Sequence, residues 1–395
     1  MMMKGRILMK IDETMIVVGG GYAGIHVIEA IKKEFHREMK KNLRVILVDK
    51  NAFHFKKVKL FKGIVNEDVS DLHVPLTHYC GSVIEFIEGE LTAVDPEEQK
   101  IKITCKSGDA IYLDYDRLIL ALGSVMRDIQ AKSGGIQLNS LKSTRYIRQN
   151  LLEQMDSPKP KLQVAIVGSG ITGIETATEV SSWIKADMLK KGFTPKNVEV
   201  VLINDKQRLI CEAPAKISEQ LQNRLMKQGI HVLHNKKANK FIDGKVLFND
   251  NSNLEADVCV WTVGLKPHPC LADLGLSLTE DGKVKADSFY RLIGCKNIYS
   301  IGDCVQAVDP ISGKAAGMSC KEAISQAQRL VKIIKADIQG IETNAHQNYP
   351  DFLCIGLGPH DGFVWTQKWG MNFVLTGRLA QKIREYTWDL ASLMN

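Results

Sequence analysis

Apolar and polar positions along this chain fall into a pattern that is written twice. Met15-Ile16-Val17-Val18 is a short apolar run ending in Gly19-Gly20-Gly21, and Tyr22–Glu29 follows with helical spacing. That order predicts a buried strand, a tight turn and a helix. Val164-Ala165-Ile166-Val167, then Gly168-Ser169-Gly170, then Ile174–Val180 repeat it. Each copy is followed by a further strand, Arg44–Val48 and Val200–Ile203, and later by an apolar strand closed by glycine, Tyr115–Gly123 and Ala256–Gly264. Such strands are buried on both faces, as in a parallel sheet.

The remaining pattern fills in around these copies. Val83–Leu113 alternates, with turn signals at Asp95-Pro96 and Ser107-Gly108-Asp109, and predicts an antiparallel meander. Arg127–Pro160 is polar, carries Gly134-Gly135, Pro158 and Pro160, and reads as a connector. Pro214–Gly229 has an amphipathic helical pattern, opened by proline and closed by glycine, and strand Ile230–Leu233 follows. Asn297–Asp303 is a strand ending in Gly-Asp. Ser319-Cys320-Lys321-Glu322 has the capping-box form that opens a helix over Ala323–Ile338. After Cys354–Gly358 the chain alternates to Val374. Its end then sets Leu379, Ile383, Tyr386, Leu390 and Leu393 on one helical face near Arg378, Lys382 and Arg384. A basic amphipathic helix of this kind suits a membrane surface, a dimer contact or packing on its own protein.

Composition narrows the class. The 395 residues have room for two or three domains, and an apolar share of 45% is ordinary for a globular chain. A net charge of +7 suits phosphates or an anionic membrane, but without a Lys/Arg-rich block no nucleic-acid partner is expected. No apolar run reaches the roughly 18 residues that span a bilayer. Met1–Lys10 lacks a cleavage-like segment and is not read as a signal peptide. The nine cysteines, at 80, 105, 211, 259, 270, 295, 304, 320 and 354, are scattered and odd in number. That pattern points to reduced thiols in a cytosolic setting, and no metal cluster is expected.

The glycines carry the chemistry. Gly19, Gly21 and Gly24 form G-x-G-x-x-G, as do Gly168, Gly170 and Gly173. The first glycine of such a set allows the turn, the second lets backbone touch a pyrophosphate, and the third lets helix and strand pack closely. Phosphates then meet the free N–H groups of the helix N-terminus. Asp49, at the end of the next strand, is placed to bind ribose hydroxyls. In the second copy the corresponding strand runs into Asn204-Asp205-Lys206: Asp205 suits the ribose of NADH, which is favoured, whereas Lys206 or Arg208 suits a 2′-phosphate. Two such cradles in one polypeptide imply electron transfer between two dinucleotides.

Single residues follow. Glu175, just inside the second helix, is either an ordinary first-turn acid or one that faces the nicotinamide. Lys56 and Lys57 lie in a basic, aromatic loop at the ligand edge of the sheet, where His54 is read as a packing or surface residue. Asp303, at a strand end, is read as accepting hydrogen bonds from a cofactor polyol.

With these motifs in place, the chain resembles the two-dinucleotide-binding flavoprotein disulfide-reductase superfamily. Within it, the chain is similar to the type II NADH dehydrogenases and their NADH-dehydrogenase-like bacterial relatives over Thr14–Arg384. The resemblance implies an α/β fold with two Rossmann-like domains of the glutathione-reductase type, plus a short C-terminal α+β segment. Residues 1–150 and 288–345 would form the FAD domain, 151–287 the NAD(P)H domain, and 346–395 an interface or membrane-proximal segment. FAD is expected on Gly19, Gly20, Gly21, Tyr22, Ala23, Gly24, Asp49, Lys50, Lys57, Leu91, Ala121, Leu122, Gly123, Gly302 and Asp303. NAD(P)H is expected on Gly168, Gly170, Ile171, Thr172, Gly173, Asn204, Asp205 and Gly264, with Glu175 near the nicotinamide.

Family members usually begin the acceptor-side helix with Ala-Gln and later carry Gln-Gly, where this chain has Cys320-Lys321 and Gln326-Ala327. A disulfide reductase needs two neighbouring cysteines in the first flavin segment. A sulfide:quinone oxidoreductase needs one just before the second glycine motif, and between Cys105 and Cys211 there is none.

The expected reaction is hydride transfer from NADH to a flavin, then electron delivery to a small acceptor, a quinone first. Glu175 and Lys321 are the candidate catalytic residues, Lys321 stabilising negative charge on the reduced ring. The alternatives are a reductase of a ferredoxin-like carrier and a redox-sensing flavoprotein. A homodimer is expected, cytoplasmic or peripheral on the inner face of the cell membrane.

Overall fold

The computed structural model describes residues 13–127, 133–156, 161–192 and 198–394; Met1–Lys10, Pro158 and Pro160 lie outside them. Two mixed α/β layers carry the two copies of the pattern. In the first, a seven-stranded sheet runs in the order Ile298–Ser300, Arg117–Leu120, Glu13–Val18, Leu43–Asp49, Glu85–Asp95, Lys100–Cys105 and Ala110–Asp114. Its first five strands are parallel, and the last three form the expected meander. Strand Glu85–Asp95 belongs to both parts and changes register between Leu91 and Ala93. Apolar residues lie on both faces of the central strands. Met15, Val17, Val45 and Leu47 pack under helices, Tyr22–Glu34 among them, whereas Ile16, Val18, Ile46 and Val48 pack against Leu91, Ile101 and Ile103 of the meander and against Leu271 and Leu274.

The second sheet has five parallel strands, in the order Ile136–Gln137, Val258–Trp261, Leu162–Val167, Val198–Ile203 and Ile230–Leu233. The segment read as a polar connector is part of this layer. Leu141–Met155 is a helix, closed at its N-terminus by a reciprocal Ser140–Ser143 capping box, and Thr144, Ile147, Leu151 and Met155 are its buried side. Few apolar residues were enough because each falls on the same face.

The tail folds as a three-stranded antiparallel sheet, Phe352–Gly356, Gly362–Lys368 and Met371–Thr376, followed by helix Arg378–Ala391. Of the three settings open to that helix, packing of its whole apolar stripe on its own protein is not the one observed. Ala380, Gln381, Arg384, Trp388 and Ala391 face inward, while Leu379, Tyr386 and Leu390 of the apolar stripe are exposed. The capped helix near the C-terminus runs Cys320–Gln339, beginning three residues before the expected start, directly after Ser319.

Candidate functional site

Sheet register brings the first set of candidates into one row. Val18 pairs with both Val48 and Leu120, and Leu120 pairs with Ser300. Gly19, Asp49, Ala121 and Ile301 therefore leave the C-terminal edge side by side, followed by Leu122-Gly123 and Gly302-Asp303. Ligands of open α/β sheets bind at that edge.

Gly19 takes φ +111°, where a side chain would drive into the Ala121 carbonyl, and a Cβ on Gly24 would overlap the Gly19 carbonyl oxygen. Those two glycines serve the protein's own packing. Gly21 does not: among the described residues nothing lies within 4 Å of where its Cβ would stand. Helix Tyr22–Glu34 starts there with no side-chain cap and no acid in its first turn. Open space against unpaired helical N–H groups is the shape and charge a pyrophosphate requires.

Polar groups surround this opening. Asp49 Oδ2 accepts from Gly20 N at 2.6 Å and its Oδ1 from Asn51 N at 2.7 Å. Ser124 Oγ donates to Asp303 Oδ2 at 2.5 Å, and Lys57 Nζ donates to the Ser124 carbonyl at 3.1 Å. Burial pushes the Asp303 carboxyl up and the Lys57 ammonium down, while each charge partly offsets the shift of the other. Lys50 reaches the His268 ring at 3.2 Å. Tyr22 Oη accepts from Val58 N at 3.1 Å, and Ala23 is buried against the row. Leu91 is not part of it: its side chain lies in the core with Ile101 and Ile103.

His54, read as a packing or surface residue, is fully buried beneath the loop. Its Nδ1 lies 2.9 Å from the Gly20 carbonyl, and the ring meets Tyr22 and Tyr79 edge-on at 4.9 Å and 5.8 Å. Gln326, noted in the sequence only for its place on the acceptor-side helix, is a second support; its Oε1 accepts from Gly302 N at 2.7 Å.

The second row repeats the first. Val167 pairs with Ile203 and Trp261, so Gly168, Asn204 and Thr262 stand together. Gly168 has φ +107°, a Cβ on Gly173 would overlap the Gly168 carbonyl, and Gly170 again has nothing within 4 Å. Helix Ile171–Lys190 starts at Gly170 uncapped, with no acid in its first turn. The Thr172 carbonyl accepts from Thr176 Oγ1, and Gly264 sits beside the Arg127 side chain. Both loops fit an adenine dinucleotide.

Glu175 is 1% exposed and its carboxylate is engaged. Arg384 Nε donates to Oε1 at 2.7 Å and Arg384 Nη2 to Oε2 at 3.2 Å, while Gly356 N donates to Oε1 at 2.8 Å. One turn on, Glu179 pairs with Lys62. Lys59, Lys62 and Arg384 lie 5.7, 5.8 and 5.3 Å from the Trp388 ring, and Lys59 bonds Asp389 at 2.8 Å. The final helix is thus bound to both glycine-motif layers. In the sequence Arg384 showed only as one of several bases flanking an apolar stripe.

Lys321 lies in the first turn of its helix, donates to the Phe352 carbonyl, and sits 5.5 Å and 5.2 Å from the Tyr349 and Phe352 rings. Burial lowers its pKa, which Glu322 partly offsets. Ser319 Oγ caps the helix by accepting from Glu322 N. Arg208 is turned away from the second cradle, its guanidinium spent on the Ala213 and Cys211 carbonyls, both at 2.6 Å. Among the described residues no group of three or more metal-ligating side chains occurs, and no helix is long and apolar enough to cross a membrane.

Comparison with known proteins agrees with this geometry. Residues 13–328 match the model of the pyridine nucleotide-disulphide oxidoreductase family. The NADH dehydrogenase-like protein YutJ of Bacillus subtilis is 21% identical over 353 residues, covering 88% of this chain and 91% of its own. A type II NADH:quinone oxidoreductase of Staphylococcus saprophyticus is 22% identical, with 88% of each chain covered. Among solved structures, NDH2 from Plasmodium falciparum in complex with NADH superposes with a TM-score of 0.81 at 17% identity, covering 95% of this chain and 94% of that one. The family match spans both layers and ends before the C-terminal sheet.

Proposed function

The chain belongs to the pyridine nucleotide-disulphide oxidoreductase family, and we propose that it is an FAD-dependent NADH dehydrogenase whose acceptor is a quinone. The observation that carries this reading is the pair of matched cradles, each with an opening at its second glycine that no described residue fills. FAD belongs to the first and NADH to the second, in the order of the family resemblance.

FAD, when bound, supplies a ring that takes a hydride and releases electrons singly or in pairs. The protein's part is positioning and charge. Gly19–Gly24 and the Tyr22 helix N-terminus hold the pyrophosphate, Asp49 the adenosine ribose, and Asp303 with Lys57 the polyol end. Gly168–Gly173 do the same for NADH. Lys321 holds positive charge at the start of the acceptor-side helix. Glu175 orients the C-terminal helix through Arg384, so its effect on the nicotinamide is indirect. We assign the first sheet to the flavin unit and the second to the nicotinamide unit.

A lipid-borne quinone suits the surface better than a soluble carrier protein does. Trp369, Met371 and Phe373 on the last hairpin and Leu379, Tyr386 and Leu390 on the final helix are all exposed. An apolar patch flanked by Lys368, Arg378 and Lys382 is the composition that lies on anionic lipid. This gives peripheral contact with the inner face of the cell membrane; a homodimer would cover the same residues. NADH oxidation by the purified protein with a short-chain quinone tests the acceptor. Turnover only with a ferredoxin, or only a slow reaction leaving a long-lived charge-transfer complex, would refute it. Co-sedimentation with anionic vesicles tests the surface, and sedimentation of a lipid-indifferent dimer would assign it to a second copy instead.

A further inference from the structure

We propose that the second nucleotide site accepts NADPH as well as NADH, because a neutral amide, Asn204, stands where a carboxylate would refuse the 2′-phosphate. This rests on the reading of that site as the nicotinamide site.

The two copies of the fold supply their own alignment. Val18 pairs with Val48 and is followed by Gly19, as Val167 pairs with Ile203 and is followed by Gly168. Asp49 and Asn204 are therefore equivalent positions, each next after the paired strand residue. Their contacts correspond too. Asp49 takes the N–H of Gly20, and Asn204 Oδ1 takes the Oγ–H of Ser169, the residue equivalent to Gly20, at 2.7 Å. An acid at this position binds a ribose diol and repels a phosphate on it. In this chain the flavin copy has the acid and the nicotinamide copy does not.

The surroundings are built for the amide. Asn204 Oδ1 also accepts from Lys206 N at 3.1 Å, which turns its NH₂ toward the Lys206 carbonyl at 3.0 Å and His234 Nδ1 at 2.7 Å. With Nδ1 accepting, His234 donates through Nε2 to Gln222 Oε1 at 3.0 Å. A carboxylate in the same place would set oxygen against the Lys206 carbonyl and against an unprotonated ring nitrogen. Burial holds His234 below its ordinary pKa, so the ring does not readily supply the missing proton.

The next acid does not replace the lost one. Asp205 is about half exposed and its carboxylate pairs with Lys206, 3.7 Å away. Asn204 itself is 1% exposed. Lys206 has 66% of its side chain exposed. The Lys236 N–H donates to the Asn204 carbonyl, but its ammonium is held by Asp250 at 2.5 Å and Ser252 at 2.8 Å. Lys206, two residues beyond Asn204 and largely exposed, is the cation we assign to a 2′-phosphate.

The FAD-loaded protein is titrated with ADP-ribose and with 2′-phospho-ADP-ribose by calorimetry, and anaerobic flavin bleaching by NADH and by NADPH is followed in parallel. The two affinities should agree within about tenfold and both reductants should bleach the flavin. Asn204→Asp should shift the affinity ratio toward ADP-ribose by about tenfold or more, and Lys206→Gln should weaken the 2′-phosphorylated ligand selectively. ADP-ribose binding about a hundredfold tighter than its 2′-phosphate in the unaltered protein would overturn the proposal. So would a ratio unmoved by Lys206→Gln, a surface change that leaves folding intact. Failure of ADP-ribose to bind and of NADH to bleach would instead remove the nicotinamide site itself.

Discussion

Glu175 and Arg384, 209 positions apart, form a two-point ion pair in which both side chains are buried. It joins the helix that opens at the second glycine loop to the last helix of the chain. Removing one partner leaves the other charge buried and uncompensated, which costs about 3–5 kcal/mol. Glu175→Gln and Arg384→Met should each lower the urea midpoint accordingly. The double substitution should recover most of the loss, because a buried pair adds little beyond neutral groups of the same volume. Equal and additive losses would show that the residues act separately.

The glycines separate folding from binding. Gly24→Ala should yield insoluble protein or one destabilised by about 3 kcal/mol or more, since its methyl has no room beside Gly19. Gly21→Ala meets no protein atom, so thermal unfolding of the apoprotein should stay within about 0.5 kcal/mol. FAD affinity should nevertheless fall by roughly tenfold or more, the methyl standing where a phosphate oxygen would be. Flavin fluorescence titration measures the second effect and circular dichroism the first.

These motifs were legible in the sequence because their code is local and steric: apolar strand, glycine turn, helix, each within a dozen residues. The two-fold repetition, the meander and the Ser319 cap are of the same kind. What sequence did not show is long-range. Nothing near Glu175 in the chain points to Arg384, and Gln326 gives no local sign that it bonds Gly302. Leu141–Met155 read as a connector because its buried face has few apolar side chains, spaced one turn apart amid polar ones. The final helix was legible only as amphipathic, its stripe fitting a membrane, a dimer contact or its own protein; charge pairing with Glu175 turns Arg384 inward and leaves Leu379 and Tyr386 outside.

Acid should loosen the first loop through His54. Its Nδ1–H donates to the Gly20 carbonyl, and its buried Nε2 has no partner among the described residues. Burial pushes its pKa down from 6.5 to about 4. The unfolded chain therefore binds this proton first as pH falls, so the stabilisation is complete above about 6.5 and is lost as pH drops toward 4. The full effect is at most about 3 kcal/mol. His54→Asn keeps the donor and removes the titration, and should flatten the pH dependence of unfolding over that interval. An unchanged slope would place the acid sensitivity elsewhere.

Lys321 is the positive charge nearest the start of the acceptor-side helix, held against the Phe352 carbonyl and two aromatic rings. Lys321→Met should lower the flavin potential and slow its reduction by NADH by roughly tenfold, with FAD affinity little changed. Stopped-flow bleaching and a potentiometric titration read the two quantities. An unaltered rate and potential would retire that role for Lys321.

The central claim is two dinucleotides on one chain, close enough to exchange a hydride. Anaerobic titration of the FAD-loaded protein with NADH measures it directly. The flavin absorbance should fall linearly to completion at one equivalent of NADH per bound FAD. A protein that stays colourless after FAD supplementation, or a bound flavin that excess NADH leaves oxidised, would contradict the account.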